Sequence, residues 1–151
     1  MLYTTLKFVH ILLAIIAVGF NASYGIWLAR AARQPEHLGH ILRGIKILDD
    51  RAANPAYGLL LLTGLAMVAV AGYPPSTFWI AAALVLWLIA IVIGFAGYTP
   101  ALRRQIELLE RVGPTAAEYE QQASRARVIG ILNIVPIVLI LILMVFKPTF
   151  G

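Results

Sequence analysis

Four long apolar stretches, separated by shorter polar ones, dominate the pattern of the chain. They run from about Thr5 to Leu28, Pro55 to Ala71, Thr77 to Tyr98 and Val128 to Phe146. Each approaches the ~20 residues that a helix needs to cross the hydrocarbon core of a bilayer. The pattern predicts an all-α polytopic membrane protein, an up-down bundle of four transmembrane helices forming a single domain over residues 1–151. Lys7 ahead of the first stretch gives it a superficial likeness to a signal peptide. The apolar run from Phe8 to Leu28 is too long for one and shows no cleavage pattern, so it predicts a retained helix.

The polar connections also carry helical signals. Pro35 suits a first helical position. After it Leu38, Ile41, Leu42, Ile45 and Leu48 recur at helical spacing, opposite Arg43, Lys46 and Asp50. That spacing predicts an amphipathic helix over about 36–53, lying at the interface or leading into the second span. Asn54-Pro55 then either starts a new helix or kinks a continuous one. In the last connection Gly113-Pro114 breaks the chain, and Thr115 with Glu118 has capping-box spacing, which predicts a helix start near Ala116. Pro136 removes the partner of the Leu132 carbonyl and predicts a kink in the fourth span.

Composition strengthens this picture. Hydrophobic residues make up 61% and charged residues 13% of the chain, against about 25% charged in an ordinary soluble domain. The absence of cysteine excludes disulfides, thiolate chemistry and iron–sulfur clusters. A net charge of +5 in a soluble protein would suggest nucleic acid, but no nucleic-acid motif or aromatic-rich basic surface is present. The basic residues instead flank the apolar spans. Arg30, Arg33, Arg43, Lys46 and Arg51 lie between spans one and two, and Arg103, Arg104, Arg111, Arg125 and Arg127 between spans three and four. The outer turn Gly72-Tyr73-Pro74-Pro75-Ser76 has none, and the termini hold only Lys7 and Lys147. The positive-inside rule makes the ten-residue side cytoplasmic and puts both termini outside, in a bacterial inner membrane. Tyr3, Tyr73, Trp79, Phe146 and Phe150 would form the outer aromatic belt, and Tyr24, Trp27 and Tyr98 the inner one.

Chemistry has few places to reside. His10 is an ionisable residue well inside a span, where such groups are costly and face the bundle interior. It shares a small, polar stripe with Ala14, Ala17, Asn21 and Gly25, since eleven residues bring His10 and Asn21 to about 20° of each other around a helix axis. Small stripes allow close helix packing or leave room for a flat ligand. A neutral imidazole here can ligate a metal or haem iron, or it can simply hydrogen-bond a neighbouring helix. Met67 and Met144 fall at a similar depth and offer thioethers as second axial ligands, or fill gaps in the core. A second polar set, Asn21, Tyr24, Asp50, Asn54, Tyr57, Arg127 and Asn133, lies toward the basic side. It can hold a polar head, a quinone carbonyl or a propionate, or serve only as interhelical hydrogen bonds with an Asp50–Arg ion pair. His37 and His40, with Glu36, form an H-x-x-H pair without a third ligand at fixed spacing and read as a solvated face. No nucleophile–base pair, phosphate loop or paired intramembrane carboxylate occurs, which argues against hydrolases, ATP-driven machines and proton pumps.

Several short segments together resemble a known family. They are Leu6-Lys7-Phe8-Val9-His10, Leu62-Thr63-Gly64-Leu65-Ala66, Pro100-Ala101-Leu102-Arg103-Arg104 and Met144-Val145-Phe146-Lys147-Pro148. The chain resembles, over nearly its whole length, an uncharacterised bacterial family of predicted four-helix integral membrane proteins, domain of unknown function 2269. That family is distantly similar to the four-helix membrane protoporphyrinogen oxidase, which binds haem b, and to copper-resistance D-type membrane proteins. The first resemblance implies that His10 matches a first-helix haem-ligand position. The copper likeness finds only three Met and no Met- or His-rich cluster to support it.

Three functions follow as expectations. One is a haem b-binding or redox-associated membrane protein, with His10 as axial ligand, Met67 or Met144 as a second, and Asn21 and Tyr57 at the polar edge. Another is a non-catalytic accessory or assembly subunit that docks a membrane protein partner. The third, a transporter, requires a homo-oligomer, because four helices without repeats enclose little space. Close packing is expected at Ala14, Ala17, Gly58, Gly64, Ala90 and Gly94.

Overall fold

The computed structural model describes residues 1–31 and 33–148. The protein is all-α, with four helical stretches long and apolar enough to cross a membrane: Leu2–Ala31, Pro35–Ala71, Phe78–Val112 and Ala117–Phe146. The predicted fourth span forms the second half of a longer helix, and the first extends by a few residues at both ends.

Helix α1 is Leu2–Ala31. After a 3₁₀ turn at Pro35–His37, α2 (Leu38–Leu48) runs through a π-helical turn, Asp49–Ala53, straight into α3 (Asn54–Ala71). Helix α4 (Phe78–Val92) likewise runs through a π-helical segment, Ile93–Tyr98, into α5 (Thr99–Val112), and α6 is Ala117–Phe146. The choice left open at Asn54-Pro55 is thus settled as one continuous helical path. Both π segments sit immediately ahead of a proline, Pro55 and Pro100, at the start of the next helix. A proline donates no hydrogen bond and its ring crowds the carbonyl four residues earlier. An i→i+5 turn widens the spiral there, so the helix absorbs the proline without ending.

The chain divides into two compact units, Met1–Pro74 and Pro75 onward. In the first, α1 packs on α3. His10 meets Thr63 and Asn21 meets Tyr57, so residue numbers rise on one helix as they fall on the other, and the pair is antiparallel. In the second, α6 packs along α4, the π segment and α5. Lys147 lies over Trp79, Asn133 beside Gly94, Ile129 beside Gly97, and Tyr119 bonds Gln105, an antiparallel pairing from end to end.

The distribution of side chains is inverted relative to a water-soluble protein. Many buried positions are small: Ala17, Ala31, Ala53, Ala56, Ala83, Ala90, Ala101 and Ala126. Large apolar side chains such as Ile11, Ile15, Leu62, Val85, Leu88, Ile131, Leu132, Val135 and Val145 point outward. Lipid tails solvate such surfaces as well as a protein core does, while small residues bring backbones close enough for dispersion to hold them. Of the expected packing positions, Gly64 and Gly94 face the partner helix, against His10 and Asn133. Gly58 does not: a Cβ there would meet nothing within 4 Å. Its place is taken in the second unit by Gly97 and Gly130, packed against Ile129 and Tyr98.

The turns behave as their residues require. Gly72 ends α3 with φ +69°, and the amides of Gly72 and Tyr73 bond the Ala69 and Val68 carbonyls in a Schellman arrangement. Gly113 (φ +83°) ends α5. The expected capping box does not form. Ala116 is the N-cap of α6, without a side-chain cap, and the Glu118 carboxylate instead accepts a bond from Arg111 at 2.9 Å across the turn. Arg111 can reach Glu118 because Gly113-Pro114 folds α6 back along α5.

Candidate functional site

His10 projects from α1 toward α3 and is half-buried. Its Nδ1 lies 2.8 Å from Thr63 Oγ1. The same hydroxyl lies 2.8 Å from the Leu59 carbonyl oxygen and 3.2 Å from that of Leu60. A threonine hydroxyl has one proton, which it can give either to these carbonyls or to the imidazole. In the tautomer in which the hydroxyl bonds the backbone, its oxygen accepts from Nδ1–H and Nε2 keeps its lone pair. A ring held by an Nδ1–H bond with Nε2 free is the arrangement that metal-binding histidines use.

Gly64 makes the approach geometrically possible. A Cβ on it would sit 3.3 Å from His10 Cε1 and 3.8 Å from Nδ1. The sequence placed Thr63 only in a short family-like segment, and Gly64 there and among the expected packing positions. The signal that pairs them with His10 is depth: in an antiparallel hairpin, His10 near the start of α1 and Thr63 near the end of α3 fall at the same level.

Met67 lies one turn beyond Thr63 on α3 and is half-buried, and Met144 lies on α6 in the second unit. Asn21 and Tyr57 come together: Asn21 Nδ2 donates to Tyr57 Oη at 3.1 Å and to the Ala17 carbonyl at 3.0 Å. This pair lies further along the hairpin, toward the basic end.

The rest of the second polar set is rearranged. Asp50 was expected on one face with Asn54 and Tyr57, but it is exposed and pairs with Lys46. Asp49 occupies the inner position instead, 4% exposed, and its Oδ2 accepts from Asn54 Nδ2 at 3.3 Å. It is also within electrostatic reach of Tyr57. The π turn explains the exchange. It adds one residue to the turn, so Asp49 and Asn54, five apart, align where a regular helix would align Asp50. Arg127 is exposed, and Asn133 packs toward Gly94 with its Oδ1 buried and without a hydrogen-bond partner. His37 and His40 are both exposed. Among the described residues no group of three His, Asp or Glu side chains is placed to hold a metal ion. Phe150, expected in the outer aromatic belt, lies outside the described residues.

Sequence reasoning also passed over Gln105, Tyr119 and Gln122. Gln105 is buried and donates to Tyr119 Oη at 3.1 Å, and Gln122 donates to the Ala101 carbonyl at 2.9 Å. Gln105 stands in line with Ala101, Leu102 and Leu108 on the buried face of α5. A lone amide in an apolar stripe is the signal that could have found it.

Antiparallel apolar hairpins with small buried residues, lipid-suited outer faces and a few interhelical hydrogen bonds define an integral membrane protein. The chain belongs to the predicted integral membrane protein family DUF2269, which matches residues 4–148. No curated protein and no solved structure matches it.

Proposed function

We propose that this protein binds haem b in the bacterial inner membrane through His10 and serves one-electron transfer. The observation that carries the reading is the His10–Thr63 bond, 2.8 Å long, which in the Nδ1–H tautomer leaves the Nε2 lone pair for a ligand. The likeness of His10 to a first-helix haem-ligand position in the four-helix oxidase group supports it. Haem would supply a reversible iron couple. The chain's own residues would bind and orient: His10 would hold the iron through Nε2, Thr63 would hold the imidazole in place through Nδ1, and Gly64 leaves the ring room. Met67 or Met144 would offer a thioether as a second ligand, and the reading itself requires His10 alone. Both termini are taken to face outward, because ten basic residues lie on the opposite side of the spans.

The test is an optical spectrum of protein purified in mild detergent after expression with added haem precursor, oxidised and then reduced, beside His10→Ala. A Soret band with sharpened reduced bands, absent from the variant, is expected. A correctly folded wild-type protein without any chromophore would overturn the proposal and turn attention to an accessory-subunit role, sought through a membrane partner or a homo-oligomer.

A further inference from the structure

Beyond the apolar part of the second unit, α5 and the first turns of α6 enclose a groove of about 270 Å³, lined by Arg104, Leu108, Glu118, Gln121, Gln122 and Arg125. Its charges are unequal. Glu118 is engaged by Arg111 at 2.9 Å, on the other side of the turn. Arg104 pairs with Glu107 at 3.2 Å; this pair and Arg111–Glu118 are both exposed and of little strength in water, so the groove lining sets two guanidinium groups against one carboxylate. Arg125 has no ion pair among the described residues. Gln122 spends its amide N–H on the Ala101 carbonyl, which fixes the groove wall. The Gln105–Tyr119 bond beneath clamps α5 to α6, so the two guanidinium groups, one from each helix, are presented by a rigid frame.

Two arginines from opposing helices, an amide and one apolar side chain suit a phosphate ester. Guanidinium groups bind phosphate oxygens in a fork that a lysine cannot reproduce. The groove begins within two turns of Tyr98 and Val128, where the apolar spans give way to polar residues, which is headgroup depth. Leu108 adds an apolar wall that inorganic phosphate would not use. We infer that this groove binds the phosphodiester headgroup of an anionic lipid, with the acyl chains lying along the apolar surface that includes Val128, Ile131 and Leu132. Basic pockets on the cytoplasmic side of membrane helices take such headgroups. The inference is independent of His10 and of haem.

The experiment titrates the full-length protein in mild detergent with phosphatidylglycerol, phosphatidylcholine or inorganic phosphate, and follows thermal unfolding. Phosphatidylglycerol should raise the midpoint at concentrations where the other two do not. In Arg104→Gln/Arg125→Gln the apparent affinity should fall about 30-fold, on the basis of ~1 kcal/mol for each basic residue. Arg103→Gln/Arg127→Gln removes the same charge from outside the groove and should keep most of the effect. Equal losses in the two double variants would overturn the site, since net charge alone would then explain binding. The same midpoint rise from inorganic phosphate would overturn the lipid assignment in favour of a soluble phosphate ester. If the groove variant does not fold, Arg125→Lys, which keeps the charge but not the fork, should weaken phosphatidylglycerol binding several-fold, and unchanged binding there would also refute the proposal.

Discussion

Thr63→Val tests the orientation of His10 most directly. Valine keeps the volume of threonine and removes the hydroxyl that bonds Nδ1. The hydrogen bond at 2.8 Å is short and interhelical. Such bonds contribute about 0.6 kcal/mol on average in membrane helices and up to ~1.7 kcal/mol. The stranded N–H adds a desolvation cost, reduced here because His10 is only half-buried. A stability loss of about 1 kcal/mol is expected, too small to unfold the hairpin. The effect on a ligand at Nε2 should be larger in relative terms. The valine variant frees the ring to rotate and to move its proton to Nε2, and losing a partner of this kind typically weakens metal binding about 10- to 100-fold. The assay is haem titration into detergent-solubilised protein, followed by the Soret band, with thermal unfolding measured on the same samples. Thr63→Ser, which keeps the hydroxyl, should restore most of the affinity. If Thr63→Val takes up haem as tightly as the wild type, with the same reduced spectrum, then the Nδ1 bond does not orient a ligand and the argument for His10 fails.

Further predictions follow from packing and topology. Gly64→Leu should destabilise the first hairpin by about 1–3 kcal/mol through overpacking against His10, whereas Gly58→Ala, with open space around it, should be neutral or stabilising by up to ~1 kcal/mol; equal thermal shifts for the two would contradict the packing. Asn133→Leu should leave stability unchanged or raise it by about 1 kcal/mol, since it removes a buried, unpartnered oxygen; a marked loss in thermal unfolding would show that this oxygen has a partner. Because the chain has no cysteine, Ser76→Cys and Glu120→Cys give clean single probes. An impermeant thiol reagent applied to intact cells should label the first and not the second, and the reverse result would invert the topology.

The sequence alone determined the elements. Span length is a local property that can be measured against bilayer thickness, and the four apolar runs fall within the four long helices except for Thr77, the N-cap of α4. The amphipathic repeat from Leu38 to Leu48 and the break at Gly113-Pro114 were equally legible, because periodicity and backbone-restricted residues act over a few positions. What the sequence could not determine was which polar group meets which. Asp50 looked correctly placed until a π turn ahead of Pro55 moved Asp49 into the interior. Thr115 and Glu118 had capping-box spacing, yet the antiparallel return of α6 gave Glu118 a closer partner in Arg111. Gly58 and Gly97 are indistinguishable as residues, and only the partner helix decides that Gly97 is packed and Gly58 is not. His10 was visible as an anomaly in an apolar span, but its tautomer depends on Thr63, distant in sequence and brought opposite by the pairing of α1 with α3. One residue of slip in a helix rotates a side chain by about 100°, so contacts of this kind belong to the tertiary structure even when every helix is written plainly in the chain.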